Sequence, residues 1–228
     1  MRYPGNKSKL AQHIMPFIEE ALKVFPNGKY IEPFVGGANM IDKVKHHTRI
    51  GYDANKYLID LFQKTKYFPD LIKSIKCLPK DGYEYLKKHK EVYQEWYVAM
   101  IGFFATFNNM WFGTYNKGKS RFEKSVKSIL RNDFTGINFI NLDYKSIPIG
   151  KGNVVYCDPP YKIHDYYKMP FNHDEFYEWV RQISKDNIVL VSEYEMPDDF
   201  TCVWQKVVKP GMNANAALKI EKLFIYKP

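Results

Sequence analysis

Residues 154–161 read Val-Val-Tyr-Cys-Asp-Pro-Pro-Tyr, an apolar run that ends in an acid, two prolines and an aromatic ring. The apolar residues suit a strand buried on both faces. The prolines cannot continue a sheet and they fix φ, so the backbone is held rigid where the strand stops. Asp158 and Tyr161 are thereby presented at an edge of the sheet. The chemistry that suits such a pair is that of a nucleobase amine, a poor nucleophile because its lone pair is delocalised into the ring. Hydrogen bonds from its two amine hydrogens to Asp158 and to the carbonyl of Pro159 favour a pyramidal nitrogen, and Tyr161 offers a face on which an extruded base can stack. The same tetrapeptide also suits a strand-terminating turn in which Asp158 only caps a helix.

A second group, Glu32-Pro33-Phe34-Val35-Gly36-Gly37, follows Tyr30-Ile31 where a first strand meets what reads as its helix. Glycines at such a junction let the backbone approach a small ligand, and an acid at the end of the next strand, Asp53, is positioned to accept from ribose hydroxyls. There is no Gly-x-Gly-x-x-Gly and no Gly-Lys-Ser/Thr, which disfavours a dinucleotide or a bound triphosphate. A nucleoside without phosphates fits better, and S-adenosylmethionine is one.

Several elements must position these groups. Leu10, Ile14, Phe17, Ile18, Ala21 and Leu22 recur at steps of three and four, which predicts a helix over 8–24 with Ser8 as its N-cap. A strand over 30–35, the glycine turn, a helix over 38–45 and a strand over 49–52 follow. Between about Lys56 and Asp133 the pattern becomes helical, rich in lysine and aromatics, with an Asn-Lys-Gly loop or hairpin at 116–118. Strands are then predicted over 136–142, 153–157, 187–192, 202–208 and 221–226, with a helix over 174–185. Strands alternating with helices argue for an α/β sheet wound on both faces, with ligands at the carboxyl ends of the strands.

Composition bounds the partners. The chain has 228 residues and a formal charge of +9, mostly from lysine, with 45% hydrophobic and 17% aromatic residues. That is a packed globular domain, or one with an insertion, and not a disordered chain. No stretch approaches the roughly 20 apolar residues of a membrane span, and no signal-peptide pattern opens the sequence. A cytoplasmic protein is expected. Cys77, Cys157 and Cys202 are too dispersed for a disulfide framework, and no Cys or His pair has metal-ligand spacing, so no metal is expected. From Ala99 to Arg131 six cations (Lys117, Lys119, Arg121, Lys124, Lys127, Arg131) stand against one acid, Glu123. This imbalance suits a polyanion, as it also suits a solvated basic face.

Read in order, Arg2-Tyr3-Pro4-Gly5-Asn6-Lys7, then residues 30–37, then Asp53, then Asp143-Tyr144, then Asp158-Pro159-Pro160-Tyr161, the chain resembles the Dam-type (group alpha) DNA adenine-N6 methyltransferases over nearly its whole length. The resemblance implies a Rossmann-like, S-adenosylmethionine-dependent methyltransferase sheet of residues 1–55 and 134–228, with a mostly helical target-recognition insertion, 56–133. It implies that Tyr3 and Lys7 line the cofactor pocket, with Lys7 placed to reach the target base. Glu32, Phe34, Gly36 and Gly37 would border the methionine portion of the cofactor, Asp53 its ribose, and Asp143 with Tyr144 its adenine. Asp158, Pro159 and Tyr161 would hold the target adenine.

The implied partner is double-stranded DNA, in the cytoplasm of a bacterium or phage-infected cell. A cognate restriction endonuclease and a monomeric or weakly dimeric state are both compatible with it. In the insertion, Asn108, Asn109 or Asn116 would reach base edges, Trp111 or Phe112 would wedge the stack, and Lys117, Lys119 and Arg121 would bind phosphates. Three departures stand out: Ala38 replaces a third glycine, Asn108-Asn109 and a different aromatic run replace Asn-Gly and a downstream arginine, and residues 211–217 lack an arginine. A GATC target therefore does not follow. Cytosine-N4 methylation, RNA or a protein amide as substrate, and a non-catalytic DNA-binding relative are the rival readings. Replacing Lys117, Lys119 and Arg121 together is expected to weaken binding to all DNA sequences and to flatten its salt dependence. Titrations at several salt concentrations check this, and an unchanged slope removes the region from the interface.

Overall fold

The computed structural model describes residues 1, 3, 5–116, 118–160, 171–208 and 218–227. Seven strands, β1 (Tyr30–Glu32), β2 (Arg49–Asp53), β3 (Ile137–Asn141), β4 (Val154–Cys157), β5 (Ile188–Glu193), β6 (Phe200–Val208) and β7 (Lys219–Tyr226), form one sheet in the order β3-β2-β1-β4-β5-β7-β6. The first five are parallel, and β7 lies antiparallel between β5 and β6. The strands nearest the centre are buried along their whole length, as a sheet covered on both faces requires. Alternate residues serve the two layers. Tyr30, Val154, Tyr156 and Leu190 pack with helix α1 (Ala11–Val24) and the helices after β2, whereas Ile31, Val155, Val189 and Val191 pack under helix α7 (His173–Ile183).

The chain builds outward from β1 through β2 to β3, then returns to set β4 on the other side of β1. This reversal opens a crevice at the carboxyl ends of β1 and β4, where doubly wound sheets bind ligands. Residues 33–37 leave β1 there, and residues 158–160 leave β4.

Between β2 and β3 run α2 (Lys56–Tyr67), α3 (Pro69–Ser74), α4 (Lys80–Lys88), α5 (Glu95–Phe104) and α6 (Lys119–Ile129). Helix α2 lies on the sheet: Gln63 and Lys66 donate to the carbonyls of Phe139 and Ile137, and Phe62 meets the rings of Phe134 and Phe139. The helical segment therefore shares one continuous core with the sheet.

Four local expectations are corrected. Helix α1 starts at Ala11, not Ser8, because residues 7–10 form a turn closed on the Lys7 carbonyl, and the Asn6 side chain accepts from the Ser8 N–H. Strand β1 stops at Glu32, ahead of Pro33. Residues 38–45 form no helix: Gly36 and Ala38 take positive φ (47° and 52°), and the chain proceeds by turns while Val35, Ala38, Met40, Ile41 and Val44 are buried. The apolar spacing there records burial in the core, not helical periodicity. Finally, Asn116-Lys117-Gly118 is not the tip of the hairpin. The paired residues are Thr106 and Tyr115, so the loop they close is 107–114; the Asn116 N–H donates to the Ala105 carbonyl at 2.9 Å and its side chain accepts from the Gly118 N–H, while Lys117 lies outside the described residues. Among the described residues no helix is long and apolar enough to cross a membrane.

At the opposite edge from the crevice, two buried asparagines tie three strands together. Asn153 accepts from the Lys29 N–H at 2.8 Å and donates to the carbonyls of Ile149 and Lys151 at 2.7 and 3.1 Å, and its own N–H donates to Asn187 Oδ1 at 2.9 Å. Asn153→Leu leaves these groups unpaired and is expected to cost about 2–4 kcal/mol. Urea unfolding checks this, and a loss below about 0.5 kcal/mol contradicts it.

Candidate active site

The glycine turn and Asp53 meet directly. Gly36 N–H donates to Asp53 Oδ2 at 3.0 Å and Asn55 N–H to Oδ1 at 2.9 Å, so the carboxylate at the end of β2 is fixed beside the turn. Burial pushes Asp53 up to about 6, against the two backbone donors that favour its charged form. Tyr3 lies along the turn: a Cβ on Gly36 would stand 3.3 Å from Tyr3 Cε1, and one on Gly37 would stand 2.8 Å from Tyr3 Cβ. The N-terminal motif and the glycine motif thus form a single wall, in which Gly36 stays partly exposed.

Phe34, half-buried, joins a ring cluster with Tyr144 at 5.2 Å, Phe176 at 5.6 Å and Phe171 at 5.8 Å. Tyr144 is buried, which pushes its phenol up to about 12, and its hydroxyl has no partner among the described residues. Asp143 is exposed and accepts from the Lys145 N–H at 3.1 Å. Glu32 is buried and accepts from the Tyr30 hydroxyl at 2.7 Å; burial, reinforced by the charge of Asp158, raises its carboxyl well above the usual range.

Across the crevice, Asp158 leaves β4 with its side chain 23% exposed and meets Lys7 Nζ at 2.9 Å. Lys7 is only 4% exposed and also reaches Glu221 Oε2 on β7 at 3.9 Å and the Gly5 carbonyl at 3.3 Å. Glu193, at the end of β5, is buried. One of its oxygens accepts from the Tyr194 N–H at 2.8 Å, and Oε2 has no partner among the described residues. Burial, with Asp158 and Glu221 adding and Lys7 opposing, raises Glu193 to about 8. Glu193 and Glu221 escape motif reading. A usable signal for Glu193 was its place at the carboxyl end of an apolar strand, where sheets of this kind carry their ligand groups. Pro159 is buried beside Asp158; Tyr161 lies outside the described residues.

The insertion residues fall into two groups. Asn109 is buried and donates to Ser125 Oγ at 3.1 Å, Phe112 is buried, and Trp111, although 36% exposed, packs its ring among Phe103, Tyr57 and Phe112 with centroids 4.7–5.0 Å away. These three anchor the loop. Asn108 is exposed, and beside it the ring of Phe107 is 52% exposed, with the Arg121 guanidinium 5.1 Å from its centroid. Lys119 opens α6. Phe103 touches Tyr3 at 5.7 Å, which couples the loop to the glycine wall.

Sheet order and crevice together define a doubly wound, Rossmann-like α/β fold. The chain belongs to the D12 class of N6 adenine-specific DNA methyltransferases, whose family model matches residues 3–195. It is an adenine-specific DNA methyltransferase, with S-adenosylmethionine as methyl donor. No curated protein matches it. Similar solved structures include the rRNA methyltransferase AviRa from Streptomyces viridochromogenes (11% identity, TM-score 0.44, 98% of this chain and 86% of that one). Others are the Haemophilus influenzae protein HI0767, described as a methylase (10%, 0.40, 97% and 88%), and SMU.472, described as a methyltransferase and complexed with SAH (8%, 0.41, 100% and 54%).

The residues present fit the donor. Asp53 keeps lone pairs for ribose hydroxyls after its two backbone contacts, and Gly36, with no side chain of its own, stays partly exposed beside it.

A carboxyl held near 8 in the fold and near 4.5 when unfolded keeps its proton longer in the native state, so its contribution falls as pH rises through that window and levels off above it. Glu193→Gln is therefore expected to gain stability over the parent chain steadily from about pH 5 to about pH 8. Urea unfolding across that range checks this, and parallel stability curves contradict it.

Proposed function

We propose that this chain is a site-specific enzyme that extrudes an adenine from double-stranded DNA and methylates N6 directly, without a covalent enzyme intermediate. The observation that carries the reading is the position of Asp158. It stands at the carboxyl end of β4, across the switch-point crevice from the glycine turn and Asp53, with its charge balanced by a buried ammonium. When bound, S-adenosylmethionine supplies an electrophilic methyl group.

The chain's own residues do the rest. Asp158 accepts from one hydrogen of N6 and the Pro159 carbonyl from the other, which directs the nitrogen lone pair toward the glycine wall. Pro159 and Pro160 hold both acceptors rigid, so little reorganisation is needed as charge develops. As N6 gains its methyl group it must lose a proton, and the Asp158 carboxylate is within hydrogen-bond reach to receive it. Tyr161 stacks on the extruded ring. Cys157, buried on β4 with its thiol pushed well up by burial, is no nucleophile, in keeping with direct transfer. On the DNA side, Phe107, Asn108 and Trp111 are the outward residues of the anchored loop: Phe107 and Trp111 take the wedging role and Asn108 the base-reading role, while Phe112 and Asn109 are buried.

Methylation of a mixed-sequence plasmid followed by mapping of modified bases tests substrate, atom and target together. The parent chain is expected to modify adenine N6 at one short sequence. Asp158→Asn, which keeps an oxygen for Lys7 to donate to, is expected to lose on the order of 10³-fold in rate while keeping its fold and most cofactor affinity. Near-normal turnover in that variant, or modification of cytosine, overturns the reading.

A further inference from the structure

Lys7 poses an electrostatic problem. Its ammonium is buried 2.9 Å from Asp158, the carboxylate that holds the target amine under the proposed function, and the donor sulfur must lie in line behind that amine's incoming methyl group. S-adenosylmethionine carries a positive sulfonium there, so Lys7 repels the substrate form of the cofactor. The product, S-adenosylhomocysteine, is a neutral thioether and is not repelled.

Among the described residues, the carboxyl groups facing Lys7 come from three strands. Asp158 arrives on β4, Glu193 on β5, and Glu221 on β7, whose Oε2 is 3.9 Å from Lys7 Nζ and whose Oε1 accepts from the Tyr194 hydroxyl at 3.4 Å. Lys219 sits over the Tyr194 ring, 4.9 Å from its centroid. Asp158 is engaged by the target base during reaction. Glu193 keeps its proton at neutral pH, because burial raises it to about 8, and so contributes little charge. Glu221 is 9% exposed and brings its carboxylate to 3.9 Å from the Lys7 ammonium.

We infer that Glu221 is a specificity-determining residue: by offsetting the Lys7 ammonium, it makes the site prefer the sulfonium cofactor over the neutral thioether product, which favours product exchange. The inference rests on the proposed function for the placement of the sulfur beside Asp158. Charges about 10 Å apart at an effective dielectric of about 20 interact strongly enough to change an affinity about tenfold.

Calorimetric binding of both cofactor forms to the full-length chain tests it without any turnover. In the parent chain S-adenosylmethionine binds more tightly than S-adenosylhomocysteine. Glu221→Gln is expected to weaken S-adenosylmethionine about tenfold and S-adenosylhomocysteine less than about twofold, and Glu221→Asp to restore most of the difference. Lys7→Met is expected to move the ratio of the two affinities the opposite way, which keeps the inference testable if Glu221→Gln folds poorly. Equal weakening of both forms by Glu221→Gln, no change in either, or a shift of the ratio in the same direction by Lys7→Met, overturns it. A parent chain that binds both cofactor forms but methylates no DNA contradicts the proposed function and leaves the ratio test standing.

Discussion

A single buried ammonium, that of Lys7, draws the N-terminal segment onto the carboxyl ends of β4 and β7. Burying a lysine is costly unless carboxylates compensate it, and breaking such a pair by removing one partner leaves the other stranded. The consequences run outward from this contact. Residues 7–10 must turn instead of extending α1, and Tyr3 is brought against the glycine turn, where any side chain on Gly37 would collide with it. The glycine wall and Asp158 are held in register by one short stretch of chain.

The sheet makes that register possible. Reversal of strand order between β1 and β4 brings two motifs more than a hundred residues apart in sequence to facing sides of one crevice. The prolines after β4 hold the acid rigid, and the Gly36 N–H holds Asp53. The helical segment between β2 and β3 shares the core with the sheet and reaches back to Tyr3 through Phe103, so that segment and the glycine wall belong to one packed body. The left-handed backbone of Asn108, Asn109 and Phe112 marks the hairpin as a loop whose shape is imposed by its anchors.

Much of this was legible in the sequence because it depends on local rules. Buried parallel strands read as apolar runs, prolines mark where β4 ends, and an acid closing the strand after a glycine turn lies beside that turn, as the Gly36–Asp53 contact bears out. The failures share a different cause. Residues 38–45 carry apolar spacing that resembles a helix, but Gly36 and Ala38 adopt positive φ and the residues are buried as turns. Ser8 looks like a cap, yet the demands of Lys7 displace the start of the helix. Asn109 looks like a base reader and instead secures α6, a role set by a tertiary contact. Glu193 and Glu221 acquire their meaning only when β7 inserts beside β5, a pairing that no local pattern in either strand announces.

The most direct measurement of the central claim is a structure of the chain with S-adenosylhomocysteine and a duplex containing its target. The account requires an extruded adenine with N6 within about 3 Å of both Asp158 and the Pro159 carbonyl, its ring on the side of Tyr161, and the cofactor sulfur on the glycine-turn side of that nitrogen. An adenine left in the duplex, or one bound away from the carboxyl end of β4 while Asp158 keeps Lys7 as its partner, would contradict it.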